Sequence, residues 1–252
     1  MAEMPAKSRR STNKSAVAMA RRLRKAGPVR RLIRRVVLAI VIIIIMPVVL
    51  LPVYSAVNPP ITTVMIAKRI AGASIIKAWR PIEAISPHLV RAVIVAEDAR
   101  FCAHSGIDWQ QVEEVLSDAE DGGPLRGAST ITMQTVKNLF LWSGRSWLRK
   151  GLEVPLALYA DAVLSKRRIM EIYLNIAEWD KGVYGAEAAA QRYFGTSAAR
   201  LSATQAARMA ATLPAPRLRN PARPDRTMGR LAGLHARRAV VAAGPYVACV
   251  LN

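Results

Sequence analysis

From Val36 to Val57 the chain reads VVLAIVIIIIMPVVLLPVYSAV, without one charged side chain. A helix needs about 20 apolar residues to cross a hydrocarbon core of roughly 30 Å, and this run meets that requirement. A buried core helix seldom runs so far without a charge, and the apolar region of a cleaved signal peptide is shorter, about 7 to 15 residues. Residues 36–57 therefore read as a transmembrane helix. Pro47 and Pro52 can kink it, which lipid-embedded helices tolerate better than soluble ones. Arg30, Arg31, Arg34 and Arg35 abut one end, whereas the other continues into Tyr54, Asn58, Pro59 and Pro60. The positive-inside rule makes residues 1–35 a basic cytoplasmic tail and puts the chain beyond about residue 58 on the far side of the membrane.

The formal net charge of +20, from 37 Lys and Arg against 17 Asp and Glu, would by itself suggest a polyanion partner. Twelve of those cations lie in residues 1–35 with a single acid, Glu3, so topology and anionic lipid account for the cluster. The chain beyond the anchor is only moderately basic, and nucleic acid is not an expected partner. Two cysteines, Cys102 and Cys249, form neither a disulfide framework nor a zinc pattern, and the sequence leaves open whether they pair.

Beyond the Pro-Pro boundary, residues 58–80 form a largely apolar membrane-proximal segment, and residues 81–252 read as one mainly α domain. Helical patterns cover His88 to Ala96, Asp108 to Asp118, Ser129 to Trp142, Ser146 to Leu164, Lys166 to Ile176, Ala186 to Tyr193 and Ser202 to Leu213. A Gly-rich loop runs from Asp121 to Gly127, and alternating β-branched runs are scarce. Ser165 and Ser202 suit N-cap positions. Four prolines between Leu213 and Pro224 close the helical body, and the basic stretch Arg226 to Arg238 comes after them.

Three polar segments bear on chemistry. Glu97 and Asp98 end an apolar helix, where desolvation can raise a carboxyl group toward the range useful for proton transfer. Thr130, Gln134 and Lys137 are spaced four and three apart, so a helix would carry them as one stripe. Arg149, Lys150 and Glu153 bring two cations within a turn of a carboxylate. Each has a plain alternative: a solvated acidic pair, a water-facing stripe, a surface ion pair.

In combination they are informative. The order EDxxFxxHxGxD (Glu97 to Asp108), GxSTITxQ with KN next (Gly127 to Asn138), RKxxE (Arg149 to Glu153) and SKxxIxxxYLN (Ser165 to Asn175) closely resembles the glycosyltransferase family of peptidoglycan polymerases. The resemblance spans about Ile82 to Pro221. With no second enzymatic domain after it, the chain is similar to the monofunctional biosynthetic transglycosylases. The implied fold is a lysozyme-like α domain behind a single N-terminal transmembrane helix, in the bacterial inner membrane with the catalytic domain periplasmic. The implied reaction polymerises lipid II by β-1,4 glycosyl transfer with inversion and release of polyprenyl pyrophosphate.

By the same resemblance Glu97 is the general base, and Glu153 assists at the donor pyrophosphate, through a divalent cation (Mg or Mn) or the neighbouring Arg149 and Lys150. Ser129, Thr130, Gln134, Lys137, Asn138 and Arg230 are expected to bind substrate, and Asp98 and His104 to hold the loop. No organic cofactor is implied. Lipid II, the nascent glycan strand, membrane lipid and other cell-wall synthesis proteins are the expected partners. Three positions depart from the family: Met133 where a glutamine is common, so that one substrate hydrogen bond is absent or supplied elsewhere; Pro155, which should bend or begin its helix; and a last motif faint around Arg230-Leu231. A lytic enzyme of the same fold would need a glycan cleft but no cation cluster, and a non-catalytic scaffold would need neither glutamate.

Overall fold

Proline suits the first position of a helix, where its missing N–H breaks no intrahelical bond, and helix α1 (Pro28–Tyr54) starts on Pro28. The computed structural model describes residues 27–120, 122, 127–144, 146–242, 244 and 246–251, with the Ile43 side chain outside that set. Residues 1–26 of the basic tail and most of the expected loop Asp121 to Gly127 thus lie outside the described residues. Helix α1 takes in Arg30, Arg31, Arg34 and Arg35, runs through Pro47 and Pro52, and has a mean hydropathy of 3.3 over its most apolar 18 residues. Among the described residues it is the one helix long and apolar enough to cross a membrane. It stops at Tyr54 rather than Val57: Ser55 to Val57 form a turn on the Pro52 and Val53 carbonyls, ahead of Pro59 and Pro60.

The chain divides into two compact units, residues 1–46 and 47–252. In the second, the end of α1 is held locally, with Leu51 fully buried, Tyr54 stacked on Phe140, and Val48 accepting from Tyr159. The expected membrane-proximal segment contains α2 (Thr63–Ile70), capped by Thr62, and strand β1 (Ile76–Lys77). Helix α3 (Pro87–Glu97) buries Leu89, Val90, Val93 and Ile94 against α9 (Ala203–Ala210) and α10 (Arg226–Val241). A second group forms around α5 (Ile131–Phe140), which packs on α2, α6 (Trp147–Val163) and α7 (Lys166–Ile176). Helix α4 (Trp109–Glu120) has no buried residue.

Three short strands were not legible in the sequence: β1, β2 (Glu178–Asp180) and β3 (Val183–Tyr184), in the order β1-β3-β2. Ile76 pairs with Val183 in parallel and Glu178 with Tyr184 antiparallel. Two or three residues are too few to show alternation. Helix α8 (Ala186–Phe194) comes next and ends on left-handed Gly195.

The predicted caps hold: Ser165 accepts from Arg168, and Ser202 forms a capping box with Gln205. Of the two expectations for Pro155, the structure removes the helix start: Pro155 lies inside α6, and Ser146 caps that helix well upstream. The two cysteines are joined: Cys102 is disulfide-bonded to Cys249 in the short C-terminal helix α11 (Ala248–Leu251).

Candidate active site

Four segments distant in sequence converge because the turn after α3 folds back onto the start of α5. Asp98 is buried. Its carboxylate takes the His104 ring Nε2 at 2.9 Å on Oδ1 and the Ile131 backbone N–H at 2.9 Å on Oδ2. Gly106 has φ +81°, and a Cβ there would meet the Ala157 carbonyl oxygen of α6 at 2.5 Å, so only glycine lets the loop approach that helix. Thr130 closes the arrangement: its hydroxyl donates to the Gly106 carbonyl at 2.6 Å and accepts from the Met133 N–H as the N-cap of α5.

This frame presents Glu97, half-buried at the end of α3, to the side of α5. Gln134 Nε2 donates to Glu97 Oε2 at 2.9 Å, while the Tyr173 hydroxyl donates to Gln134 Oε1 at 3.2 Å. Burial pushes the Tyr173 phenol well above its usual range, so it remains a donor and fixes which end of the amide faces the glutamate. Burial also pushes the Glu97 carboxyl up. The Gln134 bond and the charges of Lys137 and Arg219 partly offset this, whereas the Asp98 charge adds to it. The result is a carboxylate poised to take a proton.

On the other side of Gln134 lies a cleft of about 620 Å³. One wall carries Ser129, Lys137, Arg149, Lys150 and Glu153; the other carries Val112, Val115 and Leu116 of α4, with Trp147 at the mouth, 81% exposed. Glu153 is only 2% exposed and accepts from Arg149 Nη1 and, at 3.0 Å, from Lys150 Nζ. Lys150 Nζ also donates to Ser129 Oγ at 2.7 Å. Burial, then the positive charges of Arg149 and Lys137, pull Lys150 down to about 8; burial and Arg149 likewise lower Lys137, which Glu97 partly restores. One carboxylate against three crowded cations leaves net positive charge awaiting an anion. A second, polar cavity of about 270 Å³ shares Gln134, Lys137 and Arg149 and adds Asn138, Lys68, Tyr184 and Arg217.

The structure thus brings together Glu97, Asp98, His104, Ser129, Gln134, Lys137, Asn138, Arg149, Lys150 and Glu153. Thr130 and Arg230 lie apart from this group. Thr130 is 1% exposed, with its hydroxyl consumed by the cap and the Gly106 bond, so it does not line the cleft as the stripe reading expected. Arg230 is exposed on α10, beside a separate depression that includes Arg237. Arg219, from the proline-rich stretch, is the arginine whose charge reaches Glu97. Met133 is buried, with its sulfur 4.0 Å from Lys150 Nζ, so this position faces the packing beneath the cleft. Sequence reasoning missed the apolar wall: Val112, Val115 and Leu116 lie on an amphipathic helix of core-like pattern, yet α4 buries none of its residues and these three line the cleft.

The same arrangement of motifs has close relatives. Residues 65–243 match the family described as Transglycosylase. A biosynthetic peptidoglycan transglycosylase of Brucella suis biovar 1 is 60% identical over 205 residues, covering 81% of this chain and 91% of its own. One from Agrobacterium fabrum is 52% identical over 224 residues, 88% of this chain and 99% of its own, and one from Rhodopseudomonas palustris is 51% identical over 213 residues, 84% and 93%. With the family matched over most of its length and relatives this similar nearly end to end, the chain belongs to the transglycosylase family.

Proposed function

We propose that the protein is a peptidoglycan glycosyltransferase that polymerises lipid II into glycan strands at the outer face of the cytoplasmic membrane. The observation that carries this reading is the mixed cleft: three cations and the apolar residues of α4 line one cavity, which suits a pyrophosphate joined to an apolar chain. Glu97 accepts the proton of the acceptor sugar's 4-hydroxyl as that oxygen attacks the anomeric carbon of the donor, forming the β-1,4 bond with inversion. Lys137, Arg149 and Lys150 take up the charge of the departing pyrophosphate, and Glu153 holds the two α6 cations in place. Ser129, Gln134 and Asn138 bind the sugar-phosphate groups. Asp98 and His104 hold the loop rather than react.

Glu153 is the one carboxylate among the lining residues of the cleft and is shared with two cations. Both its oxygens already accept from Arg149 and Lys150, and among the described residues no three of His, Cys, Asp or Glu gather as a metal set. No step is routed through a metal.

The arginine-flanked helix α1 supports a cytoplasmic N-terminus and an exported domain. The Cys102–Cys249 disulfide supports the same topology, since such bonds persist in oxidising compartments and are rare in a reducing cytoplasm. The nascent strand and membrane lipid would be further partners, and other cell-wall synthesis proteins would share the compartment.

The test is to supply lipid II to purified protein and resolve the product. Glu97→Gln keeps shape but removes the proton acceptor, so polymerisation should fall by roughly 10² to 10⁴ with lipid II still bound. Full polymerisation by that variant refutes the mechanism. Release of soluble fragments from finished peptidoglycan instead of polymerisation would make the protein lytic.

A further inference from the structure

The Cys102–Cys249 bond joins the turn after Glu97, where Asp98 and His104 lie, to the C-terminal helix α11, which the proposed chemistry leaves unused. Cys249 also lies beyond residues 65–243, the part matched by the family. Cys102 sits between the fully buried ring of Phe101 and His104, inside the loop that runs from Asp98 to Asp108. Lys166 fastens that loop from beneath, donating to the His104 carbonyl at 2.6 Å with its ammonium 4.6 Å from the Phe101 ring centre.

The partner end is also anchored. Val247 and Val250 are buried, α11 packs on α7, and Arg167 of α7 donates to the Val250 carbonyl while pairing with Glu83. Arg167 and Lys166 are adjacent at the start of α7, so one turn of helix grips both ends of the disulfide. The bond crosses 147 residues of sequence to fix a loop whose other ties, among the described residues, are non-covalent: hydrogen bonds, packing, the Arg100–Asp108 and Asp98–His104 pairs and the Lys166–Phe101 contact.

We propose that Cys102 and Cys249 are positioning residues for the transfer reaction: through their disulfide, the C-terminal helix α11 holds the Asp98–His104 loop, and with it Glu97, in the geometry that α5 requires. Opening the bond with a dithiol gives each sulfur one electron and one proton while the dithiol closes to its own disulfide. The loop then keeps only its non-covalent ties. Glu97 precedes Asp98 directly, and Asp98 is bonded to the first amide of α5, so loosening spreads to the proton acceptor before it reaches the cation wall. Turnover should therefore suffer more than substrate capture.

This inference rests on reading Glu97 as the proton acceptor, and two measurements keep the two claims apart. In the first, kcat and KM for lipid II polymerisation are compared for oxidised protein, dithiothreitol-reduced protein and Cys249→Ser. Reduction and substitution should each lower kcat by roughly five- to a hundredfold with KM changed less than about twofold. In the second, amide exchange is measured on the same samples without substrate. The Ile131 amide and residues 98–105 should exchange faster, with α9 unchanged. Oxidised protein that fails to polymerise would sink the functional reading while leaving the exchange result to decide the coupling. An unchanged kcat, an unchanged Ile131 amide, or faster exchange spread through α9 would overturn the positioning role.

Discussion

Replacing Thr130 by valine separates the stripe that the sequence suggests from the cap that the structure shows. Valine matches threonine in shape, so no cavity opens, and only the hydroxyl is lost. That hydroxyl accepts the Met133 N–H at 3.1 Å, and loss of such an N-cap costs about 1 kcal/mol. It also donates to the Gly106 carbonyl at 2.6 Å in a site 1% exposed, and a buried carbonyl left without its donor costs about 1 to 3 kcal/mol. Together the loss is about 2 to 4 kcal/mol. For a domain of this size that lowers Tm by roughly 5 to 15 °C. Thermal unfolding in detergent measures it, with Thr130→Ser as the control that keeps both bonds. If Thr130→Val melted with the parent and instead raised KM for lipid II, the hydroxyl would belong to the substrate and the cap argument would be wrong.

Lys150, held down to about 8, should lose its charge as pH rises through that value, so kcat/KM should fall on the alkaline side near pH 8; Lys150→Arg, which stays protonated, should carry the plateau higher, and an identical limb in both proteins would exonerate Lys150. Gln134→Met removes the donor that favours charged Glu97, so its carboxyl should move further up and the acid limb of kcat/KM should shift to higher pH; a limb that stays put would mean that the Gln134 bond does not tune the base. Arg230→Ala, on the exposed face of α10, should leave kcat and KM within about twofold of the parent, since surface contacts away from the site contribute little; a large rise in KM would return Arg230 to the substrate.

Helices α2, α10 and α11 were not legible in the sequence, whereas the long apolar helix, helices α3 to α9 and the candidate site groups were. Each of these is written in adjacent or periodically spaced residues: an uncharged run long enough for a bilayer, apolar spacings of three and four, serines before helix starts, and four motifs in a fixed order. Lys166–Ile176 was bounded correctly from such local signals alone. Tertiary structure decided what local spacing cannot carry. Thr130 and Gln134 share a helical spacing, yet one side chain turns under the loop to meet Gly106 and the other turns outward between Glu97 and Tyr173. The apolar residues of α4 have a core pattern and still line an open cleft, since α4 buries none of its residues. The pairing of Cys102 with Cys249 and the choice of Arg219 over Arg230 both depend on where chain segments far apart in sequence are laid side by side. Periodicity reports which face of an element is apolar; only the packing of the other elements determines what that face meets.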